Sequence, residues 1–211
     1  MAIKLRTAGR RRQRDRRALT AATGLVAALL LLASGLLWLS GPGTRRQDEQ
    51  AAIGGPFTLV SDTGKIVTDR SFPGKYLLIY FGYTACRDVC PMTLNGVAAA
   101  LDRLGTKATQ VQALFITIDP VHDQPPVLLD YLSSFSARLI GLTGQPDDVR
   151  KVAREYRVSF ERRVDAAGRS AGAFDHSSVL YLMAPDGHFV APIPADASGA
   201  AMAQSIALGI R

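Results

Sequence analysis

Cysteine and histidine are scarce in this chain of 211 residues, which holds two of the first and three of the second. Two cysteines exclude a framework of several disulfides, and they exclude a closed zinc site built on three or four thiolates. Charge is absent altogether from Ala18 to Thr44. There is no internal repeat, and no low-complexity segment beyond a basic tail at the N-terminus. The body of the chain also lacks any excess of positive charge. Residues 1–17 carry eight Lys and Arg against Asp15, and this net +7 equals the charge of the whole protein. Residues 18–211 therefore sum to zero, so the basic balance gives no reason to expect a nucleic-acid surface on the folded part.

The charge-free run begins with ALTAATGLVAALLLLASGLLWL, 22 residues or about 33 Å of helix, enough to span a bilayer. It is longer than the apolar region of a cleaved signal peptide, and Trp38 near its end suits an interfacial position. No cysteine follows it, so a lipoprotein attachment site is missing. The basic residues before the run outnumber Arg45 and Arg46 behind it, which places the N-terminus in the cytoplasm. The chain is thus expected to divide into a basic cytoplasmic tail (1–17), a transmembrane anchor (18–40), a linker (41–52) and a domain (53–211). In a bacterium with two membranes the anchor would be single-pass in the inner membrane and the domain periplasmic.

Within the domain, apolar runs alternate with segments of helical spacing. Phe57–Val60 and Lys65–Thr68 flank Ser61-Asp62-Thr63-Gly64 and read as an N-terminal hairpin. Tyr76–Phe81 and Val111–Ile118 read as buried strands, and 138–142 as a short one. Helices are expected at 91–104, 125–137, 146–156 and 198–208, the first opened by Pro91. Val158–Val164 reads as extended, 165–172 as a loop. Val179–Met183, the turn at Pro185–His188 and Phe189–Ala191 make a second hairpin. The pattern indicates an α/β layer architecture.

Both cysteines lie in YFGYTACRDVCPMTL, at the junction of the buried strand Tyr76–Phe81 and the helix after it, where ligands tend to bind. Residues four apart on a helical turn share a face at a spacing that permits a disulfide or joint metal binding, and both chemistries stay open. A purely stabilising bridge fits poorly, because so small a loop gives only about 2 kcal/mol against roughly 4.7 for a loop of a hundred residues. Cys90 beside the helix start is expected to have a lowered thiol pKa. Two thiolates need a further donor to complete a metal site. His122 and His188 fall in exposed loops and turns. His176 falls in a loop just before Val179–Met183 that could reach the same sheet edge. Two thiolates and an imidazole suit copper better than structural zinc, which takes four protein ligands.

GYTACRDVCPMTL resembles the signature of the Sco/SenC family, G-[YF]-T-x-C-x-D-x-C-P. The likeness continues through Thr117-Ile118-Asp119-Pro120, Gly141-Leu142-Thr143-Gly144, Asp175-His176-Ser177, Tyr181-Leu182 and Pro185-Asp186-Gly187. It implies a thioredoxin-like fold behind a membrane anchor, and a copper metallochaperone that helps assemble the binuclear copper centre of cytochrome c oxidase subunit II. It further implies that Cys86 and Cys90 are the redox-active pair, that Cys86, Cys90 and His176 are the metal ligands, and that copper is the bound metal. Asp119 matches a recurrent acidic position and stands as either a supporting residue of the site or a helix cap or surface carboxylate. The expected partners are the oxidase subunit and other periplasmic copper chaperones or thiol reductants, with no nucleic acid. A thiol–disulfide oxidoreductase acting on oxidase subunit II or another periplasmic protein is the enzymatic alternative. Thioredoxin-type enzymes have C-x-x-C, one residue shorter, and no peroxidatic signature is evident. Ala85 and Arg87 depart from the His and Pro that many members carry there.

Overall fold

The computed structural model describes residues 30–32, 34, 35, 53–136, 138–164, 170–176 and 178–210. The chain divides into one unit at 1–49 and another at 50–211. In the first, the described residues are helical, and the Ser34 hydroxyl donates to the Leu31 carbonyl at 3.0 Å. Among the described residues no helix is long and apolar enough to cross a membrane. Most of the expected anchor at 18–40 lies outside them, as do the tail at 1–17 and the linker at 41–52.

The second unit is built around β3 (Tyr76–Gly82). Its side chains alternate between two apolar layers, as strand geometry requires. Leu78 and Tyr80 enter one core, and Leu77, Ile79 and Phe81 enter the other. With both faces covered, the strand reads as a continuous apolar run, and complete burial of a side chain such as Ile79 contributes about 2 kcal/mol. It pairs in parallel with β4 (Val111–Thr117), which pairs in parallel with β5 (Leu139–Thr143). The hairpin of β1 (Thr58–Ser61) and β2 (Ile66–Thr68) adds antiparallel to β5. At the other side, β8 (Val179–Met183) and β9 (Phe189–Pro194) add antiparallel to β3, joined by a turn in which Gly187 takes a φ of +89°. The sheet order is β2-β1-β5-β4-β3-β8-β9.

Helices cover both faces. α1 (Val89–Leu104), α2 (Pro125–Ser133) and α4 (Gly199–Gly209) send Leu94, Val97, Leu101, Leu128, Leu132, Met202 and Ile206 into the first core. α3 (Pro146–Glu155) sends Val149 and Val152 into the second, with Asp147 and Asp148 in its first turn where the helix dipole favours acids.

Three elements differ from the sequence reading. α1 begins at Val89 rather than Pro91, so the proline is its third residue. α2 stops at Ser133 instead of 137. The expected loop at 165–172 is partly strand: β6 (Phe160–Val164) and β7 (Ser170–His176) form a separate two-stranded sheet, with Val164 opposite Ser170 and Phe160 opposite His176. His176 is therefore the last residue of a strand and not a loop residue. Backbone pairing with Phe160 overrides the small, polar composition around it.

Candidate metal centre

At the C-terminal end of β3 the chain turns sharply, with the Cys86 N–H donating to the Tyr83 carbonyl at 3.2 Å. Asp123 clamps this loop. Its carboxylate accepts the Thr84 N–H at 3.0 Å, the Thr84 hydroxyl at 2.6 Å and the Thr117 hydroxyl, at the end of β4, at 2.5 Å. The Asp123 N–H in turn donates to the Asp119 carbonyl at 2.9 Å. A carboxylate 1% exposed with three donors ties the cysteine loop to the neighbouring parallel strand.

Both cysteines are free thiols. Cys86 is half-buried and precedes the helix, while Cys90 is its second residue and fully buried. They meet as a loop residue against a helix start, not as neighbours on one helical face. The Cys90 N–H donates to Cys86 Sγ at 3.4 Å, so the open end of α1 faces Cys86. The Tyr80 hydroxyl donates to Cys90 Sγ at 3.5 Å from the strand below. Gly82 keeps this space open, because a Cβ there would stand 3.0 Å from Cys90 Sγ and 2.8 Å from the Phe115 ring.

The electrostatics of the two thiols reverse the expectation for Cys90. Burial pushes its thiol up to about 12, a rise that the Tyr80 hydroxyl and the Tyr83 backbone only partly oppose and that Cys86 beside it reinforces. Desolvation at the buried second position outweighs the helix end, which is aimed at Cys86. Burial likewise raises the phenols of Tyr80, Tyr83 and Tyr131.

The third expected ligand is carried from the other sheet. The Phe174 N–H donates to the Tyr83 hydroxyl at 3.2 Å, and the two rings lie 5.1 Å apart edge to face. Tyr83 stands three residues before Cys86, and Phe174 two before His176. This clasp fixes the end of β7 to the cysteine loop. Phe174 also meets Phe160 at 6.1 Å, and Cys86 packs against the same buried cluster. The clasp thus joins the strand that ends in His176 to the loop that carries Cys86. Among the described residues no group of three His, Cys, Asp or Glu is placed to hold a metal.

The other candidates take structural places. His122 is exposed with its Nδ1 2.9 Å from Asp119 Oδ2. Asp119 is buried, so it is neither a surface carboxylate nor the cap of α2, whose N-cap is Gln124. His188 sits exposed in its turn, its Nδ1 2.5 Å from Asp186, and its hydrogen bonds lower the Asp186 pKa. Ala85 and Arg87 are exposed on either side of Cys86.

Sequence reasoning did not find Tyr80, Gly82, Tyr83, Asp123 or Phe174 as parts of the site. Strand alternation held a signal for Tyr80, since even positions of β3 face α1, where Cys90 lies. Asp123 had no signal: its loop, Val121-His122-Asp123-Gln124, reads as solvated.

The family described as SCO1/SenC matches residues 45–210. Protein SenC of Rhodobacter capsulatus is 41% identical over 74% of this chain and 70% of its own length. Protein SCO1 homolog 1, mitochondrial, of Arabidopsis thaliana is 42% identical over 67% of this chain, a match that spans 42% of the plant protein. Among solved structures, ScoI of Bradyrhizobium japonicum with copper bound is 41% identical and superposes with a TM-score of 0.68, over 75% of this chain and 100% of that one. These likenesses bear out the thioredoxin-like α/β reading of the fold.

Proposed function

Because this chain belongs to the SCO1/SenC family, we propose that it carries copper on Cys86, Cys90 and His176 and delivers it during assembly of cytochrome c oxidase. The observation that carries this reading is the meeting of two reduced thiols, one receiving the N–H of the other's residue, one clasp away from the strand that ends in His176. Two thiols and an imidazole form a soft donor set suited to copper, and copper bound to a 41%-identical relative supports it as the cargo. The receiving site is the binuclear centre of oxidase subunit II. Residues 18–40 anchor the domain in the inner membrane with 1–17 in the cytoplasm and 53–211 in the periplasm, a placement supported by the charge-free run and the basic residues before it.

The purified reduced chain is expected to take up about one equivalent of copper. Cys86→Ser, Cys90→Ser and His176→Ala each weaken uptake. Unchanged affinity in all three contradicts the ligand assignment.

A second reading rests on the unequal exposure of the thiols. A half-buried Cys86 and a sealed Cys90 suit an attacking and a resolving thiol, as in a thiol–disulfide oxidoreductase acting on the cysteines of the oxidase subunit. His176→Ala separates the two, since reductase activity survives it and copper binding does not. In cells lacking the protein, rescue of oxidase activity by added copper favours delivery, and failure of rescue favours reduction.

A further inference from the structure

The hydroxyl of Tyr80 is directed at the buried sulfur of the pair. It donates to Cys90 Sγ at 3.5 Å, whereas Cys86 Sγ takes its hydrogen bond from the Cys90 backbone. Tyr80 is 2% exposed and Cys90 0%, and Gly82, Phe115 and α1 close the space around them. Water therefore does not compete for this sulfur, and a hydrogen bond in so dry a place has a larger effect than one at the surface.

We propose that Tyr80 is the positioning residue that sets the redox balance of the pair: its hydrogen bond to Cys90 favours the dithiol over a Cys86–Cys90 disulfide. Closing the disulfide brings the two sulfurs to about 2.05 Å from each other, so Cys90 Sγ gains a covalent partner on the side of Cys86 and its approach to the Tyr80 hydroxyl changes. Bonded to a second sulfur instead of to hydrogen, Cys90 Sγ also carries less negative charge and accepts the Tyr80 hydrogen bond less strongly. The hydrogen bond is thus present in the reduced form and weakened in the oxidised one. Only a contact that differs between two states shifts their equilibrium. The inference deepens the copper-carrying reading and rests on it for its use, because only the reduced thiols take up copper.

Glutathione disulfide serves as the oxidant in the test. Its S–S bond breaks, the Cys86–Cys90 S–S bond forms, and two glutathione molecules leave with the two electrons and two protons of the dithiol. In the full-length, copper-free chain, Tyr80→Phe keeps the ring and removes only the hydroxyl. It is expected to raise the equilibrium constant for oxidation about fivefold, a potential about 20 mV more negative for a two-electron couple. Tyr131→Phe is the control. Tyr131 belongs to the same aromatic stack, 6.0 Å from Phe115, which lies 6.0 Å from Tyr80, and its buried hydroxyl has no hydrogen-bond partner among the described residues. Its removal is expected to change the constant less than about twofold. Should Tyr80→Phe unfold the chain, 3-fluorotyrosine at position 80, a stronger donor of the same shape, is expected to move the equilibrium toward the dithiol. An unmoved constant in the position-80 variant, or an equal shift from Tyr131→Phe, overturns the proposal. The readout contains no copper, so failure of copper binding and failure of this inference are told apart.

Discussion

The two halves of the candidate centre are built differently. The thiols stand where β3 of the seven-stranded sheet runs into α1: β3 is paired on both sides, the loop after it is clamped by Asp123 and the helix is packed into the core. His176 stands at the end of a two-stranded ribbon outside that sheet, joined to the cysteine loop by the Tyr83–Phe174 clasp. An isolated two-stranded ribbon is marginal in water, so its position depends on what it packs against. The scaffold thus fixes the two thiols through the fold as a whole, and the strand end that carries His176 through the Tyr83–Phe174 clasp.

The most severe way to break this comparison is to remove the clasp. Phe174→Ala deletes a buried ring and is expected to cost about 3 kcal/mol in chemical denaturation. Copper affinity should fall to that of His176→Ala, and combining the two should add little further loss, because both remove the same donor. Full additivity of the two losses would mean that the clasp does not act through His176.

Breaking the other half gives the next largest effect. Asp123→Ala strands the Thr84 N–H, the Thr84 hydroxyl and the Thr117 hydroxyl, and should cost about 2 to 3 kcal/mol, with Asp123→Asn falling between it and the wild type. The copper stoichiometry should stay at about one, because Cys90 remains seated in α1 and Cys86 in the loop before it.

The sealed thiol also gives the sulfur half a pH signature. Cys90 is pushed up to about 12 in the folded chain, against about 8.5 when unfolded. Between those values the unfolded chain has released a proton that the folded chain still holds, so rising pH favours unfolding. Stability of the copper-free protein should decline above about pH 8.5, by at most about 1.4 kcal/mol per pH unit. In Cys90→Ala the decline should begin only where the buried tyrosines take over, near pH 10. Denaturant midpoints from pH 7.5 to 10 measure this. The smallest change sharpens the clasp itself: Tyr83→Phe keeps the ring pair and removes the acceptor of the Phe174 N–H, costing about 1 kcal/mol and exposing that amide to faster hydrogen exchange.

What could be read in advance follows the same division. β3, β4 and the helices around them announced themselves by uninterrupted apolar runs and three- and four-residue spacing, because burial on two faces leaves a pattern in the chain. The thiol pair was legible from its place between strand and helix. The sealing of Cys90 was not, because burial of the helix start by Tyr80 and the core is a tertiary effect, and it reversed the expected direction of the thiol's pKa. The ribbon was the least legible part: Ser170–Gly172 offers no apolar alternation, and the pairing of His176 with Phe160 joins residues sixteen apart. Asp123 was hidden for a related reason, since its three donors arrive from Thr84 and Thr117, on two different segments.

X-ray absorption of the copper-loaded chain tests the joining of the two halves most directly. The expected copper environment is two sulfurs and one imidazole nitrogen, with the nitrogen lost in His176→Ala and both sulfurs retained. An unchanged environment in that variant, or one without sulfur in the wild type, would contradict it.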